Sequence, residues 1–375
     1  MRQMSIPRKA FSISEIHRVE SGTVAWAGWL TSEGHVVAIG EILPEGDDAV
    51  TSYLAWMFGP DGVHTSVPIT VRRPLMRILS GTRSWAPAAF LCEGCAHGVP
   101  LSQRWGAVRV EGTGVVAAPF AEHVACSQDV TFSEAAGGKT VDVIMVDTPR
   151  GGSEPPVRPR WLDLHEEGVA EVGTSRWNWP RALSDPDVAV DRKGHHWLVW
   201  AADRCRCIVA SEIGQQGFSE QHRIIRRVGA KREVSSPRVV RGAHEDLVLW
   251  REYNGKTKRD TRDSSLFFLP LLSGKKPPGM PTRITPDREV ISWDVVGSEY
   301  GPVVFWNSGM STQTRSTHVM RMCEAGGVGP EVKLPFPRGE MAVPLRREIL
   351  VLGYDASGLV GQPRRGLLAA VVALP

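Results

Sequence analysis

Pro186-Asp-Val-Ala-Val-Asp-Arg-Lys-Gly194-His-His-Trp-Leu-Val-Trp200 is the stretch that decides the architecture. A short apolar run leads into a polar turn carrying glycine, and a second apolar run ends on tryptophan. β-Branched runs parted by turn residues read as a β-hairpin. The pattern returns in Pro237-Arg-Val-Val-Arg-Gly242-Ala-His-Glu-Asp-Leu-Val-Leu-Trp250, and again between Ile291 and Trp306 around Gly297. The closing tryptophans are 50 and 56 residues apart.

Beyond each tryptophan come a polar loop and a third apolar run: Cys207-Ile-Val-Ala-Ser, Ser265-Leu-Phe-Phe-Leu and Thr317-His-Val-Met-Arg-Met. A weaker fourth run follows, as in His222-Arg-Ile-Ile-Arg and Glu331-Val-Lys-Leu. Four short strands in each unit of about 50 residues are the signature of propeller blades. Further centres fit at Ser52–Trp56, Ala86–Leu91, Val141–Asp147 and Glu348–Tyr354. The expectation is an all-β protein, a β-propeller of four-stranded, WD40-like or BNR-like blades. Seven blades fit best; the short interval between 56 and 90 also allows six or eight. Thr23–Leu30 reads as a further inner strand or as part of the closure, and Arg365–Leu374 as a strand closing the ring beside N-terminal strands. Gly and Pro interrupt the chain too often for long helical stretches. A two-sheet sandwich array is the rival architecture. Residues 1–10 read as a tail and 11–375 as one propeller domain.

Composition narrows the class. The 375 residues are 42% hydrophobic and 23% charged, which excludes a disordered chain. The apolar run Leu367–Leu374 is too short to span a bilayer, so no membrane partner is expected. The opening MRQMSIPRKAFSISEIHRVE has basic residues but no apolar stretch of the secretory kind, and a cytoplasmic location is expected. The six cysteines then read as reduced thiols. Cys92-Glu-Gly-Cys95, with His97 close by, is the leading metal candidate, and His195-His196 reads as a solvated turn; the cysteine pair lacks a second pair at zinc-site spacing, so neither metal nor cofactor is expected. No P-loop, dinucleotide fingerprint or nucleophile elbow is present.

Ser184–Trp200 resembles blades of the sialidase-like (BNR-repeat) propeller superfamily. Inner strands there read as a proline-led apolar run, a glycine turn and an aromatic-ended strand. The likeness runs on through Ile208-Val-Ala-Ser-Glu-Ile-Gly-Gln-Gln-Gly-Phe-Ser219, a degenerate form of the family's Asp-box turn. Ser211, Gly214, Gly217 and Phe218 match, while Ile213 stands where Asp belongs. The match covers one blade well and two loosely. It implies the fold first, because propellers host many unrelated functions. Sugar-cleaving members of the family use several arginines, a Tyr–Glu pair and an Asp. Glu299-Tyr300 are adjacent but lie in an apparent hairpin turn, and Asp185, Asp187 and Asp203 surround the best-matched blade. Asp185 and Asp187 are the catalytic candidates of an enzyme reading, a glycoside hydrolase-like site at the channel mouth. Turn chemistry at Asp185-Pro-Asp187 is the plainer account.

Charge is unevenly spread. The chain carries 44 Lys/Arg against 41 Asp/Glu, but residues 222–288 hold 16 against 7. Arg223, Arg226, Arg227, Lys231, Arg232, Lys256, Lys258, Arg259 and Arg262 are the candidate contacts for an acidic partner. Aromatic residues are not interleaved as a single-strand binder needs, which disfavours nucleic acid. The leading expectation is therefore a non-enzymatic propeller that binds a protein partner through its loops. The enzyme reading and polyanion binding through the 222–288 face are the alternatives.

Overall fold

The computed structural model describes residues 13–20, 23–30, 36–42, 52–58, 64–71, 75–78, 85–91, 103–111, 114–121, 129–134, 141–146, 159–174, 184–191, 195–214, 217–218, 222–242, 245–254, 263–271, 279–285, 289–297, 301–309, 314–322, 327–334, 338–344, 348–354 and 367–373. Among them every regular element of length is a strand, and none is an α-helix. In chain order the first nine strands are β1 (Ile13–Glu20), β2 (Thr23–Leu30), β3 (Val36–Ile42), β4 (Ser52–Phe58), β5 (His64–Val71), β6 (Leu75–Ile78), β7 (Trp85–Leu91), β8 (Gln103–Glu111) and β9 (Gly114–Pro119). The run β2-β3-β4-β5 is antiparallel, as is β6-β7-β8-β9. Their outer strands join in parallel, Ile69, Thr70 and Val71 lying opposite Val115, Val116 and Ala117. The two runs therefore make one eight-stranded sheet.

The middle of the chain repeats the antiparallel run. One sheet orders β10 (Asp129–Glu134), β11 (Val141–Val146), β12 (Pro159–Leu164) and β13 (Val169–Thr174). The next orders β14 (Ser184–Val190), β15 (His196–Ala202) and β16 (Cys207–Gly214). At one end of β16 sits the short β17 (Gly217–Phe218), and along the other runs β18 (Arg223–Arg227). Then come β19 (Arg232–Arg241), β20 (Asp246–Asn254), β21 (Ser264–Pro270) and β22 (Thr282–Arg283). A further sheet holds β23 (Val290–Val296), β24 (Val303–Ser308), β25 (Ser316–Met322) and β26 (Val328–Lys333). The last contains β27 (Arg338–Pro344), β28 (Glu348–Tyr354) and β29 (Leu367–Ala373), with β1 on its outer edge. The C-terminal strand thus pairs with the N-terminal one, as the apolar run at 367–373 predicts, and the two ends of the chain share one sheet. The chain is a β-propeller.

The sheets stack face to face, and tryptophans fill the gaps between them. Trp250 packs with Val199 and Ile208 of the sheet before it, and Trp306 with Leu249 and Phe268. Trp56 closes the circle against Val343, Leu350 and Leu352 of the final sheet. Each of these indoles is fully buried, and its apolar area supplies a large part of the contact energy between blades. Trp56 lies on β4, the third strand of its run, and not on the second as the spacing predicts. That displacement explains the short interval to residue 90, which lies on a second strand, β7.

Bulges shape the first strands. The register shifts between Ser184 and Asp187 in β14, between Ser235 and Arg238 in β19, and between Val290 and Ser292 in β23. A bulge bends a strand and re-aims its side chains. At two of these bulges a residue before proline takes a left-handed backbone, Asp185 at φ 49° and Ser236 at φ 49°. Non-glycine residues rarely adopt that conformation, and where they do the surroundings hold it.

Candidate functional site

The first strands β14, β19 and β23 are neighbours, and their bulged starts bring polar groups from three sheets together. Asp185 Oδ2 accepts from the Ser236 amide at 2.9 Å, and Asp187 Oδ2 from the Val239 amide at 2.8 Å. Both carboxylates therefore brace the next strand, which is what the left-handed Asp185 makes possible. Arg238 follows on β19 with Asp294 of β23 beside it, Nε to Oδ1 at 3.6 Å. Burial opposes the charge of Arg238, but the carboxylates of Asp187, Asp294 and Asp185 more than offset it, and its pKa is raised.

A second group adjoins this one. The Tyr253 hydroxyl donates to Glu233 Oε2 at 3.0 Å across the β19–β20 ladder. The Arg251 guanidinium lies 5.4 Å from the centre of the Tyr253 ring, a cation–π distance. Arg251 donates to Ser235 Oγ and to the carbonyls of Val290 and Ile291 on the next sheet. Burial lowers its pKa, partly countered by Tyr253 and Asp185. Burial, the hydrogen bond to Glu233 and the charge of that carboxylate all push Tyr253 well above the ordinary tyrosine value. The phenol is therefore protonated throughout the neutral range and is a proton donor held against a carboxylate. Asp185 is exposed, while Glu233, Arg238, Arg251 and Tyr253 are half-buried, so the group meets solvent.

The remaining candidates are distributed differently. Arg226 donates to Glu252 through Nε at 2.8 Å, and Arg232 through Nη1 at 3.4 Å. Glu252 is 1% exposed and also accepts from Trp250 Nε1 at 3.1 Å. Arg227 lies 3.5 Å from Asp203. These three arginines thus hold carboxylates of the same protein. Arg223 is half-buried and Lys231 exposed. Lys256, Lys258, Arg259 and Arg262 lie outside the described residues, as do Cys92, Cys95, His97, Glu299 and Tyr300. His195 sits in its hairpin turn beside Asp191 and Glu212, at 3.2 and 3.6 Å. Among the described residues no group of three His, Cys, Asp or Glu is placed to hold a metal ion.

Sequence reasoning sought a Tyr–Glu pair in adjacent positions and missed the one the fold assembles. Glu233 and Tyr253 are 20 residues apart and become partners only through strand register. The usable signal was the hairpin whose turn carries Gly242: Arg241 lies opposite Asp246, and with the shift at the Ser235–Arg238 bulge the register places 233 opposite 253.

No protein-family model matches the chain, and no curated protein does. Solved structures do. The polysaccharide lyase Uly1 superimposes with a TM-score of 0.57 at 8% identity, covering 97% of this chain and 100% of its own. Prolyl oligopeptidase B from Galerina marginata matches at 0.53 and 10% identity, over 92% of this chain and 51% of its own. A puromycin hydrolase matches at 0.52 and 12% identity, over 88% and 50%. The chain spans about half the length of the latter two. At such identities the likeness establishes the propeller fold. It also corrects the expectation of a non-enzymatic interaction module, since each of these propellers belongs to an enzyme.

Proposed function

We propose that the protein is a glycan-cleaving propeller enzyme, seven-bladed and of sialidase-like descent, acting at the start of its first strands. The observation that carries this reading is the constellation of Tyr253, Glu233 and Arg251 beside Asp185 and Arg238. Breaking a glycosidic bond needs a proton for the leaving oxygen and a carboxylate on the other side of the scissile bond. Tyr253 supplies the proton. Arg251, lying over the ring, partly offsets the burial and the carboxylate charge that disfavour the phenolate, and Glu233 orients the hydroxyl. Asp185, exposed and held by the Ser236 amide, serves as the base that activates water. Asp187 fixes β19 at the Val239 amide, and the positive charge of Arg238 attracts both carboxylates. The full-length match to a polysaccharide lyase supports a polymeric carbohydrate as substrate.

The test is a panel of neutral and acidic polysaccharides, followed by reducing-end release and by the ultraviolet absorbance of unsaturated products. Tyr253→Phe, Glu233→Gln and Asp185→Asn should each lower turnover roughly a hundredfold or more with the fold intact. Wild-type turnover in Tyr253→Phe and Glu233→Gln would move the site elsewhere. A folded wild-type protein that cleaves none of the panel would remove the reading.

A further inference from the structure

A second cluster of catalytic residue types lies in the β23–β26 sheet, independent of the site just described. Ser316 Oγ is 2.6 Å from His318 Nε2, and Ser308 Oγ is 2.9 Å from the same nitrogen. The two hydroxyls are 3.1 Å apart. On the other side of the ring, His318 Nδ1 is 2.6 Å from Glu331 Oε1. A carboxylate accepts only, so Nδ1 carries its proton toward Glu331, and Nε2 is left to accept from serine. This is the order nucleophile, base, orienting acid that activates a serine hydroxyl.

The indole of Trp306 supplies the second observation. It stacks on His318, with ring centres 5.3 Å apart and planes 12° from parallel. In the preceding sheet the equivalent Trp250 donates Nε1 to Glu252, two residues on. Ser308 occupies that place after Trp306, and its hydroxyl is engaged with Ser316 and His318 instead. Trp306 is fully buried, and its Nε1–H has no hydrogen-bond partner among the described residues. A buried donor left unpaired costs stability, and an acceptor placed beside it would recover that cost. Ser308 ends β24 and Ser316 opens β25, so the hydroxyls sit at the ends of their strands; both serines and His318 are buried.

We propose that Ser316, His318 and Glu331 form an acyl-transfer site for small esters, with Trp306 Nε1 as the donor to the oxyanion. Ser316 Oγ bonds to the ester carbonyl carbon while its proton passes to His318 Nε2. The carbon–oxygen bond to the alcohol then breaks, and the alcohol leaves with the proton held by His318. Water attacks the acyl-serine, losing its proton to His318, and carboxylic acid and free serine result.

The full-length protein is incubated with p-nitrophenyl acetate, and separately with a small fluorophosphonate. Nitrophenol release and the modified peptide are followed by absorbance and mass spectrometry. The expected result is a burst of nitrophenol and modification of Ser316. Both are lost in Ser316→Ala and reduced roughly a hundredfold in Glu331→Gln, with far-ultraviolet circular dichroism unchanged. Trp306→Phe, which also lowers the melting temperature by opening a cavity, should slow acylation at a temperature where circular dichroism shows the variant folded. Absence of modification at Ser316 in the folded wild-type protein overturns the proposal. So does nitrophenol release that persists in Ser316→Ala. Should Glu331→Gln fail to fold, Ser316→Ala and Trp306→Phe still decide the matter.

Discussion

In β20 the sequence Trp250-Arg251-Glu252 meets Ser265 and Phe267 of β21; in β24 Trp306-Asn307-Ser308 meets Ser316 and His318 of β25. The backbone register is the same in both sheets. The residue after each tryptophan does the same mechanical task with different chemistry. Arg251 donates to Ser235 Oγ on its own bulge and to the carbonyls of Val290 and Ile291 on the next sheet. Asn307 donates to Ser292 Oγ, at the corresponding bulge, and to the Gly339 carbonyl on the next sheet. It also accepts from the Gly339 amide and from Thr317. In both sheets the polar side chain at this position helps to fasten the sheet to its successor. The following residue is where the two diverge: a buried carboxylate that gathers two arginines and an indole in one, a hydroxyl feeding a histidine in the other. Conserved geometry with exchanged chemistry separates what the fold requires from what it leaves available for function.

The largest effect should come from Glu252→Ala. It strips Arg226, Arg232 and Trp250 of their shared acceptor. Breaking a fully buried ion pair costs about 3–5 kcal/mol; here both arginines reach water, so about 2–3 kcal/mol is expected by urea titration. Ser308→Ala, the matching change in the other sheet, should cost about 1 kcal/mol. A reversal of that order would break the comparison.

Next comes the fastening itself. Asn307→Ala leaves buried partners on both sheets unpaired and should cost about 2 kcal/mol, against about 1 kcal/mol for the more exposed Arg251→Ala. Gly339 reinforces the contrast, because a Cβ there would stand 2.8 Å from Thr317 Cγ2. Equal losses at the two positions would show that the buried and half-buried fastenings are not distinct.

A finer test compares the indoles. Trp250→Phe and Trp306→Phe remove similar volume, but only the first removes a hydrogen bond within the protein. Trp250→Phe should be the worse by about 1 kcal/mol in paired melting experiments. Equal losses would mean that the Trp306 Nε1–H is satisfied in the resting protein.

The smallest effect concerns the other indole–imidazole pair. His222 meets Trp200 edge-on, with ring centres 5.4 Å apart, and burial lowers its pKa. A depressed folded-state value means that the unfolded chain binds the proton more readily. The contribution of His222 is thus fully present above the ordinary histidine value near 6.5 and declines as the pH falls below it. His222→Phe should flatten that part of the stability–pH curve; an unchanged slope would assign the acid sensitivity to other groups.

Much of the architecture was legible in the chain because it is local. Alternating apolar runs, glycine turns and a tryptophan at the end of the second strand encode hairpins, and hairpins repeated at regular spacing encode blades. Gly242 shows how firmly a turn can be written: a Cβ there would meet the Glu245 carbonyl at 2.1 Å. Trp56 was placed one strand too early, because a buried tryptophan reads alike on a second or a third strand. The parallel contact of β5 with β9 had no signal at all, since it joins two outer strands that local patterning treats as separate edges.

The candidate sites followed another rule. Asp185 and Asp187 were visible as turn residues beside a matched blade, and their bracing of Ser236 and Val239 was not. Arg226 and Arg232 counted toward a basic stretch until the fold brought Glu252 between them. The sequence by itself determined strand, turn and period, which depend on neighbours along the chain. Only the tertiary structure decided which polar groups meet: Glu233 with Tyr253, Asp187 with Val239, and Ser316 with His318 and Glu331. Those meetings depend on cross-strand register and on one sheet packing against the next, and both are set by burial of apolar surface shared across the whole ring.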